Sequence, residues 1–380
     1  MPASSVLYFD HNATTPIHPA VTEEMARVST VAWANPGSRH REGRRARQVL
    51  EDARERLAKL LGASPQEVVW TSGGTEANNL AILGLARSER RVAAILPGEH
   101  PSLENPVALL TRRGWTRQDL PIDSDGQFRS DAAESIDWEG LGLVTVALAH
   151  SETGVIRDIG PLVERCRHHG VAFHVDTVQA AGKRPLDFHR LGATSLSLAA
   201  HKFGGPRGVG ALVVSETLPL DPLLRGGLQE RERRPGTEPV VLAAGMVRAL
   251  ELWTAERETR TAHLRQLRDR FEAGLRETCA PIVIHGERTT RLANTSNIAF
   301  PGCDGEALLV SLDLAGICAS LGTACSSGAT EPAPILVAMG CPPEVLRSSV
   351  RFSFGPDQTL EEIEQGIGIV SQVVKRNRAQ

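Results

Sequence analysis

Through the first two thirds of the chain, short apolar runs alternate with amphipathic stretches. The runs at 68–70, 92–96, 143–149, 171–175, 195–199 and 209–214 are rich in Val, Leu and Ala and read as strands. Between them, 103–113 and 161–169 space their apolar residues at helical intervals. Strands apolar on both faces and separated by helices predict an α/β fold with a mostly parallel sheet covered on both sides. Such sheets bind ligands at the carboxyl ends of their strands. From about 239 to 278 the pattern becomes helical and long, reading as one or two helices that lead out of the sheet. Beyond it, 282–285, 296–300 and 350–354 read as strands of a smaller sheet. Residues 359–376 read as a closing helix, capped by Thr359 with Glu361 and Glu362 in its first turn.

Length and charge narrow the function. At 380 residues the chain passes the size, about 250–300 residues, at which a single core usually stops growing, so two domains sharing a cleft are expected. A formal net charge of -3 offers no attraction to nucleic acid or to an acidic membrane surface. There is no run of about 18 apolar residues and no basic segment leading into an apolar one at the N-terminus, so a cytoplasmic location is the default expectation. The cysteines, at 166, 279, 303, 318, 325 and 341, show neither a CxxC pair nor a zinc-like spacing. They are expected to stay reduced, and no metal site is expected.

Lysine usage is the most informative part of the composition. The chain holds only Lys59, Lys183, Lys202 and Lys375, with arginine at nearly every other basic position. A Schiff base needs a primary amine that can lose its proton, which a guanidinium cannot supply. Lys59 and Lys375 sit in charged helical stretches, and Gly182-Lys183-Arg184-Pro185 reads as an exposed turn. Lys202 differs: it ends a strand of small apolar residues and enters the glycine-rich turn Phe203-Gly204-Gly205. Two further segments carry candidate chemistry. Ser72-Gly73-Gly74-Thr75-Glu76 links a strand to a helix and suits a phosphate cradle, or simply a capped turn. Asp176, at a strand end with Gln179 three residues on, suits a pyridinium nitrogen or a helix cap.

In order and spacing these segments resemble pyridoxal-phosphate enzymes related to class V aminotransferases, and more narrowly cysteine desulfurases of the NifS/IscS type. The resemblance spans nearly the whole chain. It includes Tyr8 to Pro16, Asn35-Pro36-Gly37-Ser38, Glu99-His100-Pro101, Glu152-Thr153-Gly154-Val155, Arg234-Pro235-Gly236-Thr237 and Ser348 to Ser353. It implies a fold-type I transferase, with a large domain over 14–255 and a smaller α+β domain from 1–13 and 256–380. It implies Lys202 as the Schiff-base lysine, Asp176 as the pyridinium partner, Gln179 at the ring's phenolic oxygen and His100 against the ring as a proton relay. Gly74, Thr75 and His201 fall where the family holds the phosphate. Thr237 matches a threonine that reaches the phosphate from a second subunit, which implies a homodimer. Arg351 matches the substrate-carboxylate clamp, the bland alternative being a strand-edge salt bridge, and Asn35 falls on the substrate side.

Cys325 lies in Leu321-Gly322-Thr323-Ala324-Cys325-Ser326-Ser327-Gly328, whose small and polar residues describe a loop and not a core. It resembles the long cysteine loop of the NifS/IscS type, about 320–332 here. The implied reaction converts L-cysteine to L-alanine and leaves sulfur on Cys325 as a persulfide. An acceptor protein of an iron–sulfur or thiolation pathway takes that sulfur, and a nascent cluster could touch Cys325. Ser151, Ala200 and Leu228 depart from the family's usual Asn, Gly and His. Competing readings are another enzyme of the same fold (aminotransferase, selenocysteine lyase or beta-lyase) and a scaffold without catalysis.

Overall fold

The computed structural model describes residues 6–87, 89–322 and 332–379. Its main sheet has seven strands, in spatial order Val68–Thr71, Gly210–Val214, Ser195–Ala199, Ala172–Asp176, Leu141–Ala147, Val92–Ile95 and Thr116–Asp119. The last five named are mutually parallel, and Gly210–Val214 runs against both of its neighbours. The expected parallel sheet is therefore present, with one reversed strand. Thr116–Asp119, a half-exposed edge strand, has no apolar run and is missing from the sequence expectation.

Apolar residues on both faces explain why the central strands are buried. Val144 and Val146 enter one hydrophobic cluster and Leu143 and Ala147 another, as the two-residue period of a strand requires. Helices Gly74–Leu85 and Pro101–Arg112 cover one face. On the other, Leu196, Leu198, Ala211 and Val213 meet the helix Val240–Ala255. The long helical stretch breaks at Glu256 into Val240–Ala255 and Arg257–Cys279.

A second sheet has three antiparallel strands in the order Ser349–Ser353, Thr295–Ala299 and Val283–Ile284. Asp10 bridges to Ser353 and Ser320 to Arg351, so the N-terminal segment and the chain before 323 both meet the strand that carries Arg351. The closing helix Leu360–Arg378 starts as expected. Thr359 Oγ1 accepts from the Glu362 N–H at 3.2 Å, and the Glu362 carboxylate accepts from the Thr359 N–H at 2.8 Å. Among the described residues no helix is long and apolar enough to cross a membrane.

Candidate active site

The chemistry-bearing segments all follow parallel strands at their carboxyl ends. Asp176 is the last residue of its strand, and Lys202 closes the turn Ala200–Lys202 after Ser195–Ala199. Gly74 opens its helix after Val68–Thr71, His100 follows Val92–Ile95, and Ser151 follows Leu141–Ala147. They converge on one cavity of about 240 Å³, lined among others by Gly74, Thr75, His100, Asp176, Gln179 and Lys202. His201 and Ser151 also line it.

Lys202 is presented by a tight turn. Gly204 has φ +80, a left-handed conformation that favours glycine. A Cβ on Gly205 would lie 2.8 Å from the Ala200 methyl, so Gly205 makes the room that Ala200 uses. Lys202 Nζ donates to the Asn12 carbonyl at 2.6 Å and to the Ala13 carbonyl at 2.9 Å. Burial, and then the Arg351 charge, lower its pKa to about 8. The amine is thus closer to its neutral, nucleophilic form than an exposed lysine.

Asp176 sits in a relay of neutral groups. Its Oδ1 accepts from the Val178 N–H at 2.8 Å and its Oδ2 from Asn78 Nδ2 at 2.7 Å. Asn78 Nδ2 also donates to Ser102 Oγ at 2.8 Å, and Asn78 Oδ1 lies 3.0 Å from His174 Nε2. His174 Nδ1 is 2.9 Å from Ser195 Oγ, and full burial pushes its pKa down to about 3, so this imidazole is neutral. Since Asn78 Nδ2 faces the carboxylate, its oxygen faces His174, whose Nε2 then carries the proton. The sequence reading missed Asn78 and His174. An asparagine on the apolar inner face of a helix was the available signal, because burial there demands partners.

His100 caps the helix Pro101–Arg112, its Nδ1 accepting from the Ser102 N–H at 3.1 Å. Burial lowers its pKa, as does Lys202, while Asp176 acts the other way. Behind it, Glu99 is buried in an ion pair with Arg157 and also accepts from the Ala147 N–H at 2.9 Å.

Lys183 overturns a sequence expectation. It is not in an exposed turn: it is 8% exposed and donates to Asn12 Oδ1 at 3.1 Å and Gln179 Oε1 at 3.0 Å. The reason is tertiary. A Cβ on Gly182 would fall 2.6 Å from Phe203 Cβ, so the turn is pressed against the core and Lys183 points inward. Asn12 ties these groups together. Its carbonyl accepts from Lys202 and from Gln179 Nε2 at 3.0 Å, and its Nδ2 donates to Ser151 O at 3.1 Å.

Arg351 is buried at the cavity's edge and does not line it. Its Nη1 pairs with Glu152 Oε1 at 2.7 Å and its Nη2 with Asp10 Oδ1 at 2.8 Å, while Nε has no partner. Asn35 is exposed, its Oδ1 accepting from the Gly37 N–H at 2.8 Å, and Thr237 is exposed as well; neither lines the cavity of its own chain. Cys325 lies outside the described residues. Among the described residues no cluster of side chains suits a metal ion.

The model of the aminotransferase class-V family matches residues 7–365. A cysteine desulfurase of Nostoc sp. is 40% identical over 99% of this chain and 94% of its own length. An IscS-like cysteine desulfurase of Mycobacterium tuberculosis is 38% identical over 98% of this chain and 97% of its own. Among solved structures, a NifS-like protein superposes with a TM-score of 0.91 at 30% identity, covering 98% of this chain and 100% of that one. SspA in complex with cysteine superposes with a TM-score of 0.82 at 29% identity, covering 93% and 100%. This chain belongs to the class-V aminotransferase family and, within it, to the cysteine desulfurases of the NifS/IscS type.

Proposed function

We propose that the chain is a pyridoxal-phosphate-dependent cysteine desulfurase that turns L-cysteine into L-alanine and passes the sulfur, through Cys325, to an acceptor protein. One observation carries the reading: an amine lowered to about 8 shares a cavity with a strand-end aspartate and a glycine-started helix. That donor set fits pyridoxal phosphate. N–H groups at Gly74 and Thr75, with the helix dipole and His201, suit a phosphate. Asp176, held by donors on both oxygens, suits a protonated ring nitrogen.

The cofactor, when bound, draws electrons from the substrate's α-carbon. The chain's residues do the rest. Lys202 Nζ would hold the cofactor and move the α-proton. Asp176 would keep the ring nitrogen protonated, and Gln179 would offer its NH₂ to the phenolic oxygen. His100 would lie against the ring and relay protons. Arg351 takes the substrate carboxylate in exchange for a present carboxylate partner, Glu152 being the one adjacent to the cavity-lining Ser151. The Cys325 thiolate attacks the substrate sulfur. An S–S bond forms as the Cβ–S bond breaks, leaving a persulfide on Cys325 and alanine as product.

Exposed Trp33, Leu224 and Leu228 favour a homodimer in which Thr237 and Asn35, outside their own chain's cavity, serve the partner's. We assign 14–255 to the cofactor-holding unit and 1–13 with 256–380 to the smaller one, since the two sheets fall in these segments. A cytoplasmic setting, where thiols stay reduced, suits the thiolate step.

The test is alanine and sulfide release from L-cysteine by the purified protein, with mass spectrometry of Cys325. An added sulfur on Cys325, absent from Lys202→Ala, is expected. Sulfide release at the parent rate by Cys325→Ala rules out the persulfide step.

A further inference from the structure

Lys183 is a buried lysine without a carboxylate: among the described residues it forms no ion pair, and its partners are two amide oxygens. Its ammonium has only donors, and the Asn12 carbonyl only accepts. Gln179 lies between them, which fixes its amide. Oε1 must turn to Lys183, and Nε2 must turn to the Asn12 carbonyl, the same oxygen that holds Lys202. The NH₂ group has a second hydrogen that no described partner takes, a donor available to the cavity that Gln179 lines.

We propose that Lys183 is a positioning residue of this site: it locks the Gln179 amide so that its NH₂ donor, and not its carbonyl, serves the oxygen beside the pyridine ring. The inference rests on the reading that Gln179 meets the phenolic oxygen. That oxygen is an anion when ionised, and a carbonyl turned toward it would repel it. Without Lys183, only the Asn12 carbonyl holds the amide, and a flipped amide presents the wrong end.

The charged surroundings set the direction of a second effect. Lys202 and Arg351 act on Lys183 as like charges, and its pKa falls to about 7, chiefly through burial. Lys183 in turn acts on His11, while Asp10, Asp176 and Glu152 act on Lys202. Below about pH 7 Lys183 carries a positive charge in this group, and removing it lets a neighbouring nitrogen that titrates in that range hold its proton more tightly, so such a midpoint rises.

The experiment uses the holoenzyme and two readouts: the pH midpoint of the bound cofactor's near-visible absorbance, and kcat/KM for L-cysteine. Lys183→Met is combined with Gln179→Ala in a double-mutant cycle. Expected is an upward midpoint shift of about half a pH unit or more in Lys183→Met. Its kcat/KM should fall roughly tenfold in the parent background but less than about twofold in Gln179→Ala, because the effect travels through Gln179. Equal losses in both backgrounds with an unmoved midpoint overturn the proposal. Lys183→Leu, neutral and without a donor, carries the same cycle if Lys183→Met does not fold. A parent protein that binds no cofactor defeats the underlying reading instead, and is a distinct result.

Discussion

Lys202 Nζ rests on two main-chain carbonyls, those of Asn12 and Ala13, whereas Arg351 spreads its guanidinium between the carboxylates of Asp10 and Glu152. Both cations are withdrawn from water, and burial alone pushes both pKa values down. For Lys202 that push wins, since a carbonyl dipole compensates a charge only partly. For Arg351 two carboxylates more than offset it, and its pKa is raised. The amine proposed to give and take a proton is kept among neutral hydrogen-bond partners; the guanidinium proposed to clamp a carboxylate is kept among anions. Glu152 pays part of that arrangement: burial raises its pKa and its Oε2 has no partner, so it is the carboxylate most easily exchanged.

The largest test of this contrast is Lys202→Ala. Cofactor retention should be lost and turnover should drop by more than about a thousandfold, read by absorbance and alanine release. Retention of both shows that the amine on carbonyls is not the reacting one. Arg351→Ala comes next. It strands Asp10 and Glu152, so stability should fall by about 3–5 kcal/mol, measured by denaturant unfolding. Arg351→Lys keeps a charge without the fork, and KM for L-cysteine should rise roughly tenfold while kcat changes little. A KM left untouched by that variant makes Arg351 a purely structural bridge.

A smaller effect probes the neutral side of the contrast. His150 and His174 are buried, and their pKa values lie at about 3, below the usual 6.5 of the unfolded chain. A depressed histidine contributes stability that is whole above pH 6.5 and is lost as pH falls from there toward 3. Going from pH 7 to 5 should therefore cost about 2 kcal/mol per histidine, seen as a lower denaturation midpoint. The least effect belongs to Asn78→Ala. Removing the amide between Asp176 and His174 should cost about 1–3 kcal/mol and weaken cofactor binding.

The hydrophobic pattern carried most of the fold, because strands covered on both faces have no polar phase and are hard to mistake. The runs at 92–96 and 195–199 match their strands closely. The edge strand Thr116–Asp119 was illegible, since an edge faces water and its sequence, TRQD, resembles a loop. Among the cavity-lining residues, Lys202 and Asp176 stood out as candidates in the sequence because each sits at or just after a strand end, whereas Gln179 and His100 were picked out through the family resemblance. Asn12, Asn78, Lys183 and Glu152 were not read as site residues, since a polar residue's burial depends on which distant segment lands on it.

The sequence by itself determined the order of strands and helices, the scarcity of lysine, and the placement of one amine and one carboxylate at the ends of neighbouring strands. Those are local facts, set by periodicity and residue chemistry. Only the tertiary structure decided that Lys183 is inside, that the Gln179 amide is held between Lys183 and the Asn12 carbonyl, and that Arg351 already holds two carboxylates. Each depends on contacts between segments far apart in the chain, Asn12 with Lys183 and Asp10 with Arg351, where burial removes water and makes every unpaired charge find a partner.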